Sequence, residues 1–413
     1  MAALALLVAA RAEGGSLPAA GGAPLLPGAE GAARTVVGVV EEPARVDTHG
    51  YSAWLRVERD LAAPADAVSH PESGSERIHI AWEELSSDRP VRFAQGSRIA
   101  VALAPMPGYS LWLQRFPKAD VLAVAEAGAA FLRDPDPATL EGLARYVQIP
   151  AAEREESPGV DALSALVATG AVPLAEAASE RLDKIGGLES KLREPAAGQL
   201  THAMGSASRP DALRLAVVRL AGAHQLSRLR PALEALAQGV PPLAGPAWSA
   251  IVEIDGDLPY ATAKQLVAST DPAVRAVGVR FLVGTPDAAE VSRRARSDPA
   301  PEVRSAAVHA LLAANGSEAL EVGYAALFDP APSVRADVAQ AVGAFGSQVV
   351  PRLRELAETH TGREAGGPMA ALAYAGPEGQ EVLMELSRSH PDEPTRRLAL
   401  FFLGKDPRAA LTQ

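Results

Sequence analysis

The segment Asp329-Pro330-Ala331-Pro332-Ser333-Val334-Arg335, running on into Ala336-Asp337-Val338-Ala339-Gln340-Ala341-Val342, constrains this chain most, because variants of it return at a steady interval. Asp298-Pro299 leads to Arg304, Asp271-Pro272 to Arg275, and His390-Pro391 to Arg396. The arginines stand 29, 31 and 61 residues apart (275 to 304 to 335 to 396), the last interval being close to two periods. A helix-starting unit repeated about every 30 residues predicts an α-solenoid, in which each helix pair buries its apolar face by stacking on its neighbours. An earlier copy, Pro210-Asp211 to Arg214, implies a degenerate unit around Gly245 to Gly256. Another degenerate unit, Gly366 to Gly376, lacks the arginine.

Each recurring residue of the unit has a helical reason. An Asp carboxylate before a helix accepts the free N–H groups of the first turn, and Pro at the first helical position gives up no hydrogen bond. Asp-Pro therefore predicts a helix start, with the Arg about one turn in. Ala306, Ala307, Ala310 and Leu311 recur at helical spacing and predict a close-packed seam. The basic cluster Arg293-Arg294-Ala295-Arg296 reads as a solvated helix face.

On these residues (Asp271 and Arg275, Asp298 and Arg304, Asp329 and Arg335, Arg396, and the earlier Asp211 and Arg214) the chain resembles HEAT repeats, in particular the short variety of phycobilisome lyases. The resemblance implies that Asp and Arg of neighbouring repeats form a ladder, so that Asp298 and Asp329 meet arginines of an adjacent repeat. These charged residues are then structural caps and rungs. The family also contains bilin lyases and a hydroxylase that binds metal through paired His-Glu dipeptides. The chain has no His-Glu dipeptide and no cysteine, so enzymatic activity is not expected to carry over.

The rest of the chain divides by pattern. Residues 1–12 hold a short apolar run, Ala2 to Ala10, followed by Ala10-Arg11-Ala12, which fits a signal-peptidase site but lacks a basic start. The readings are a weak or truncated export signal, giving a periplasmic or secreted protein, or an Ala-rich start on a cytoplasmic one. Residues 13–34 are rich in Gly, Ala and Pro and read as a flexible linker. Residues 35–117 alternate with period two in runs at 36–40, 52–58, 77–83, 98–103 and 110–114, which predicts five antiparallel strands. Five strands in so short a stretch predict a small barrel, OB-like, with an SH3-like barrel or a small sandwich as alternatives. Residues 118–405 read as helices from Val121–Leu132 onward, and 406–413 as a tail. The expected fold class is α+β: a small antiparallel β-barrel followed by an α-solenoid.

Alternation on the strands sets Leu55, Val57, Ile78, Ile80 and Trp82 inward. It leaves Trp54, Arg56, His79 and Trp112 on one outer face, where aromatics serve as stacking platforms in ligand-binding barrels. The competing reading is that this face packs or docks. The eight histidines form no H-E-x-x-H pair, and G-x-S-x-G, P-loop and G-x-G-x-x-G motifs are missing, so no catalytic residue, metal or cofactor is expected. Asp47-Thr48-His49-Gly50 reads as a β-turn. A net charge of −11 argues against general nucleic-acid binding. Nothing reads as transmembrane. The excess of Arg over Lys suggests a GC-rich bacterial genome. The expected function is a non-catalytic scaffold or adaptor holding another protein on the concave face of the solenoid. The alternative is a barrel that recognises a small molecule, a glycan or single-stranded nucleic acid.

Overall fold

The computed structural model describes residues 25–46, 50–63, 76–83, 92–105, 121–125, 130–239 and 241–404. The chain divides into two compact units, residues 1–220 with 226–229, and residues 221–225 with 230–413. Among the described residues no helix is long and apolar enough to cross a membrane.

The first unit opens with a helix, α1 (Leu25–Gly31), where the sequence predicts linker. The reason is burial: Leu25 and Leu26 are almost wholly out of water, so an apolar pair finds a core to enter. Six strands follow: β1 (Arg34–Arg45), β2 (Gly50–Asp60), β3 (Arg77–Glu83), β4 (Arg98–Pro105), β5 (Val121–Val124) and β6 (Phe131–Arg133). The order β1-β2-β3-β5-β4 closes on itself through β1–β4 pairing, and β6 adds to β4. Closure removes sheet edges that would otherwise need cover.

Two expectations are corrected here. The barrel is mixed, because β3 and β5 run parallel while the other pairs are antiparallel. Residues 121–132, expected as the first helix, supply β5 and β6 instead. The Ala-rich periodicity that predicts a helix loses to the open hydrogen-bonding edges of β3 and β4, which β5 joins. The expected strand at 110–114 lies outside the described residues, as do Trp112, residues 1–12 and Asp47 to His49.

Inward positions match the alternation. Leu55, Ile78, Ile80 and Trp82 form the barrel core with Val36, Val40, Ile99, Val101, Leu103 and Phe131. The long β1 serves both β2 and β4, and its register with β2 shifts after Val37 and after Glu41. Gly38 sits at the first shift: a Cβ there would lie 2.5 Å from the Arg56 carbonyl oxygen, so only glycine allows the strands this close.

Helices α2 (Pro137–Gln148), α3 (Ser157–Thr169), α4 (Val172–Asp183), α5 (Leu188–Lys191) and α6 (Glu194–Gly205) continue this unit, and α7 (Asp211–Ala223) begins in it. Asp136 caps α2, accepting the Thr139 N–H at 2.9 Å, with Pro137 in the first turn.

The second unit is a row of helix pairs. Its helices are α8 (Arg230–Ala237), α9 (Ala244–Asp255), α10 (Tyr260–Val267), α11 (Pro272–Arg280), α12 (Ala288–Ser297), α13 (Pro301–Asn315), α14 (Leu320–Ala326), α15 (Pro332–Gly343), α16 (Val350–Thr359), α17 (Gly366–Tyr374), α18 (Pro377–Ser389) and α19 (Glu393–Gly404). Helices α9, α11, α13, α15, α17 and α19 each pack on the next in that row, and the intervening helices pack beside them. This is the nearest-neighbour stacking of a solenoid. One continuous apolar cluster runs from Ala244 to Phe402. Small residues set the spacing: a Cβ on Gly367 would meet the Leu327 carbonyl oxygen at 2.0 Å.

Candidate functional site

The outer face of the barrel brings Trp54 and His79 together directly. They are cross-strand partners in the β2–β3 register, and their rings stack at 4.8 Å with planes 14° apart. Burial pushes the His79 imidazole below its ordinary value, which keeps it neutral against the indole at pH 7. Arg56 does not join the stack; its Nε donates to Glu41 Oε1 at 3.0 Å.

Three residues of this face were missed in the sequence: Arg77, Glu41 and Glu42. The Arg77 guanidinium lies 5.1 Å from the Trp54 ring centroid and pairs with Glu41 at 2.9 Å and Glu42 at 3.1 Å. Arg77 was legible, since it stands two residues before His79 on the same strand face. The two glutamates were not, because the register shift in β1 decides where they point. The result is an indole already contacted by an imidazole and a guanidinium, with Glu41 bridging two arginines.

The repeats hold the second constellation, and here the charges are buried. Arg275 donates through Nε and Nη2 to both oxygens of Asp298, at 3.3 and 3.0 Å. Arg304 does the same to Asp329, at 2.7 Å for each bond. The Asp298 side chain is fully buried, and Arg304 and Asp329 are 10% and 8% exposed. Burial would raise the Asp298 carboxyl, but donation from Arg275, the Ala300 N–H and Arg294 outweighs it and holds the group below its usual range. The fork of Asp329 likewise raises the Arg304 guanidinium above its ordinary value.

A second clamp recurs with this one. The Nη1 of each arginine donates to the carbonyls six and five residues back: Ser269 and Thr270 for Arg275, Asp298 and Pro299 for Arg304, Asp329 and Pro330 for Arg335, His390 and Pro391 for Arg396. The residue six back also accepts the N–H two residues on, through Ser269 Oγ, Asp298 Oδ1, Asp329 Oδ1 or His390 Nδ1. The structural repeat therefore aligns Ser269, not Asp271, with Asp298. Asp271 is instead the true N-cap of α11, accepting the Ala273 N–H at 2.9 Å. At Asp298 and Asp329 the helix starts later than Asp-Pro predicts, at the second proline, Pro301 or Pro332.

The earlier pair behaves differently. Arg214 bonds Asp211 within α7 at 2.8 Å and the Met204 carbonyl at 2.9 Å, so these two form no rung between repeats. Arg294, expected on a solvated face, is mostly buried and reaches Asp298 at 2.5 Å and Glu290 at 2.8 Å.

In the first unit a cleft of about 430 Å³ is lined by Glu30, Ala151, Ala152, Arg154, Glu155, Glu156 and Arg181. Its arginines are engaged: Arg181 with Glu30 and Glu155, Arg154 with the carbonyls of Ile149, Val147 and Glu30. The buried Tyr146 hydroxyl also donates to Glu30. This network ties α1 down. Among the described residues no group of three or more His, Asp or Glu is placed to hold a metal ion.

The HEAT repeats family matches residues 294–365, which takes in the Arg304–Asp329 rung. No curated protein matches the chain. Among solved structures, that of human deoxyhypusine hydroxylase in complex with glycerol matches at 16% identity, covering 61% of this chain and 96% of that one, with a TM-score of 0.30. That score lies below the range in which two chains share an overall fold. HEAT repeats generally mediate protein–protein interaction.

Proposed function

We propose that this chain is a non-catalytic scaffold or adaptor that holds a protein partner on its helical repeats, on the concave face that such repeats create. The observation that carries the reading is the ladder. Its buried charges are consumed in stacking one repeat on the next, and the HEAT repeats match takes in the Arg304–Asp329 rung. The pattern resembles the short repeats of phycobilisome lyases, in a chain that has no cysteine. The proposed setting is bacterial, periplasmic or secreted, with the cytoplasm as the alternative.

Affinity capture with the full chain, followed by cross-linking and mass spectrometry, tests this. Cross-links to one protein are expected on repeat surfaces between residues 244 and 404. Cross-links confined to the strands between 34 and 105 would overturn it.

A second reading rests on the barrel face, where half-buried Trp54 stacks on buried His79 and meets the exposed Arg77 guanidinium. Such a group suits a small molecule, a glycan or single-stranded nucleic acid. Trp54→Ala in the full chain would abolish such binding in a ligand panel. An unchanged panel would leave the face as packing.

A further inference from the structure

The ladder stops at Arg335, where the repeat supplies the fork but not the carboxylate. Arg335 holds the pose of Arg304: its Nη1 donates to the Asp329 and Pro330 carbonyls at 2.7 and 3.1 Å. Arg275 and Arg304 turn Nε and Nη2 onto an aspartate of the following repeat. The Arg335 Nε is buried and has no hydrogen-bond partner among the described residues. Asp329 stands 25 residues beyond Arg304, and the residue 25 beyond Arg335 is His360.

The His360 ring is engaged elsewhere. Its Nδ1 lies 2.8 Å from the Leu356 carbonyl, and it sits 4.5 Å from the Phe328 ring. The next repeat repeats the substitution. His390 occupies the aspartate position, Gly366 replaces the arginine before it, and the buried His390 Nε2 has no hydrogen-bond partner among the described residues. The last two repeats thus contribute no ladder carboxylate. A guanidinium stays charged at any pH a protein survives, and its planar fork matches a carboxylate with two parallel bonds.

We propose that the Nε/Nη2 edge of Arg335 is a carboxylate-binding site, and that the group it takes comes from outside the repeats. A small free carboxylate and an acidic side chain of a partner share this chemistry. The site stands apart from the scaffold reading, since it concerns the group the fork accepts and not what else is bound.

The test uses the full chain, melted at constant ionic strength with chloride replaced by acetate, and separately with a short oligoglutamate peptide. Ligand binding to the folded state raises Tm by mass action. A rise of about 2–4 °C is expected for one such contact in a unit of this size. The rise should vanish in Arg335→Gln and shrink in Arg335→Lys, which keeps the charge but not the fork. His360→Asp should melt higher than the parent and respond to neither probe, because its own carboxylate fills the fork. A response to acetate identifies a free carboxylate as sufficient; a response to the peptide alone identifies an acidic side chain. No response of the parent to either probe, or an undiminished response in Arg335→Gln, overturns the proposal and leaves water as the occupant.

Discussion

Glu41 on the barrel and Asp329 in the repeats both serve arginines, and what separates them is access to water. Glu41 pairs with Arg56 and Arg77, whose side chains are more than 40% exposed. Such pairs are screened and contribute about 0–1 kcal/mol. Asp329 meets Arg304 where both are about nine-tenths buried, and there the pair stands or falls as a unit. The same residue types therefore do opposite work. Exposed, they steady the stacked Trp54 and His79 rings; buried, they fix how repeats stack.

The contrast can be broken by substitution. Asp329→Ala leaves the buried Arg304 charge without its carboxylate, and a loss of about 3–5 kcal/mol is expected in denaturant unfolding. Gly367→Ala should follow at about 1–3 kcal/mol, since its Cβ would strike the Leu327 carbonyl oxygen and force the helices apart. Glu41→Ala on the barrel should cost less than about 1 kcal/mol.

pH separates the regions too. The Asp298 carboxyl lies below its unfolded value in the folded chain, so its contribution is complete above about pH 4 and is lost as pH falls through the folded value. Asp298→Asn should flatten that acid limb of the stability profile. His79 is also pushed down, so the fold resists its protonation. Its contribution is complete above about pH 6.5 and declines below, and His79→Gln should remove that smaller slope.

Much of this was legible in the sequence. The period of the Asp-Pro and Arg pattern, the helical seam and the inward strand positions all follow from local spacing, which the helix and the pleat impose. What was not legible depends on partners distant in sequence. Residues 121–132 look helical until the edges of β3 and β4 demand a strand. Leu25 and Leu26 look like linker until a core receives them. The alignment of Ser269 with Asp298 appears only through the carbonyls that Arg275 clamps. On the barrel face, Trp54 and His79 follow from alternation, whereas Glu41 depends on a bulge that no periodicity announces.

The comparison is tested most directly by two double-mutant cycles on the full chain, one at Arg304 and Asp329, the other at Arg77 and Glu41. Coupling of about 2–3 kcal/mol is expected for the buried pair and less than about 1 kcal/mol for the exposed one. Equal coupling in the two cycles would contradict the assignment of the ladder to repeat stacking.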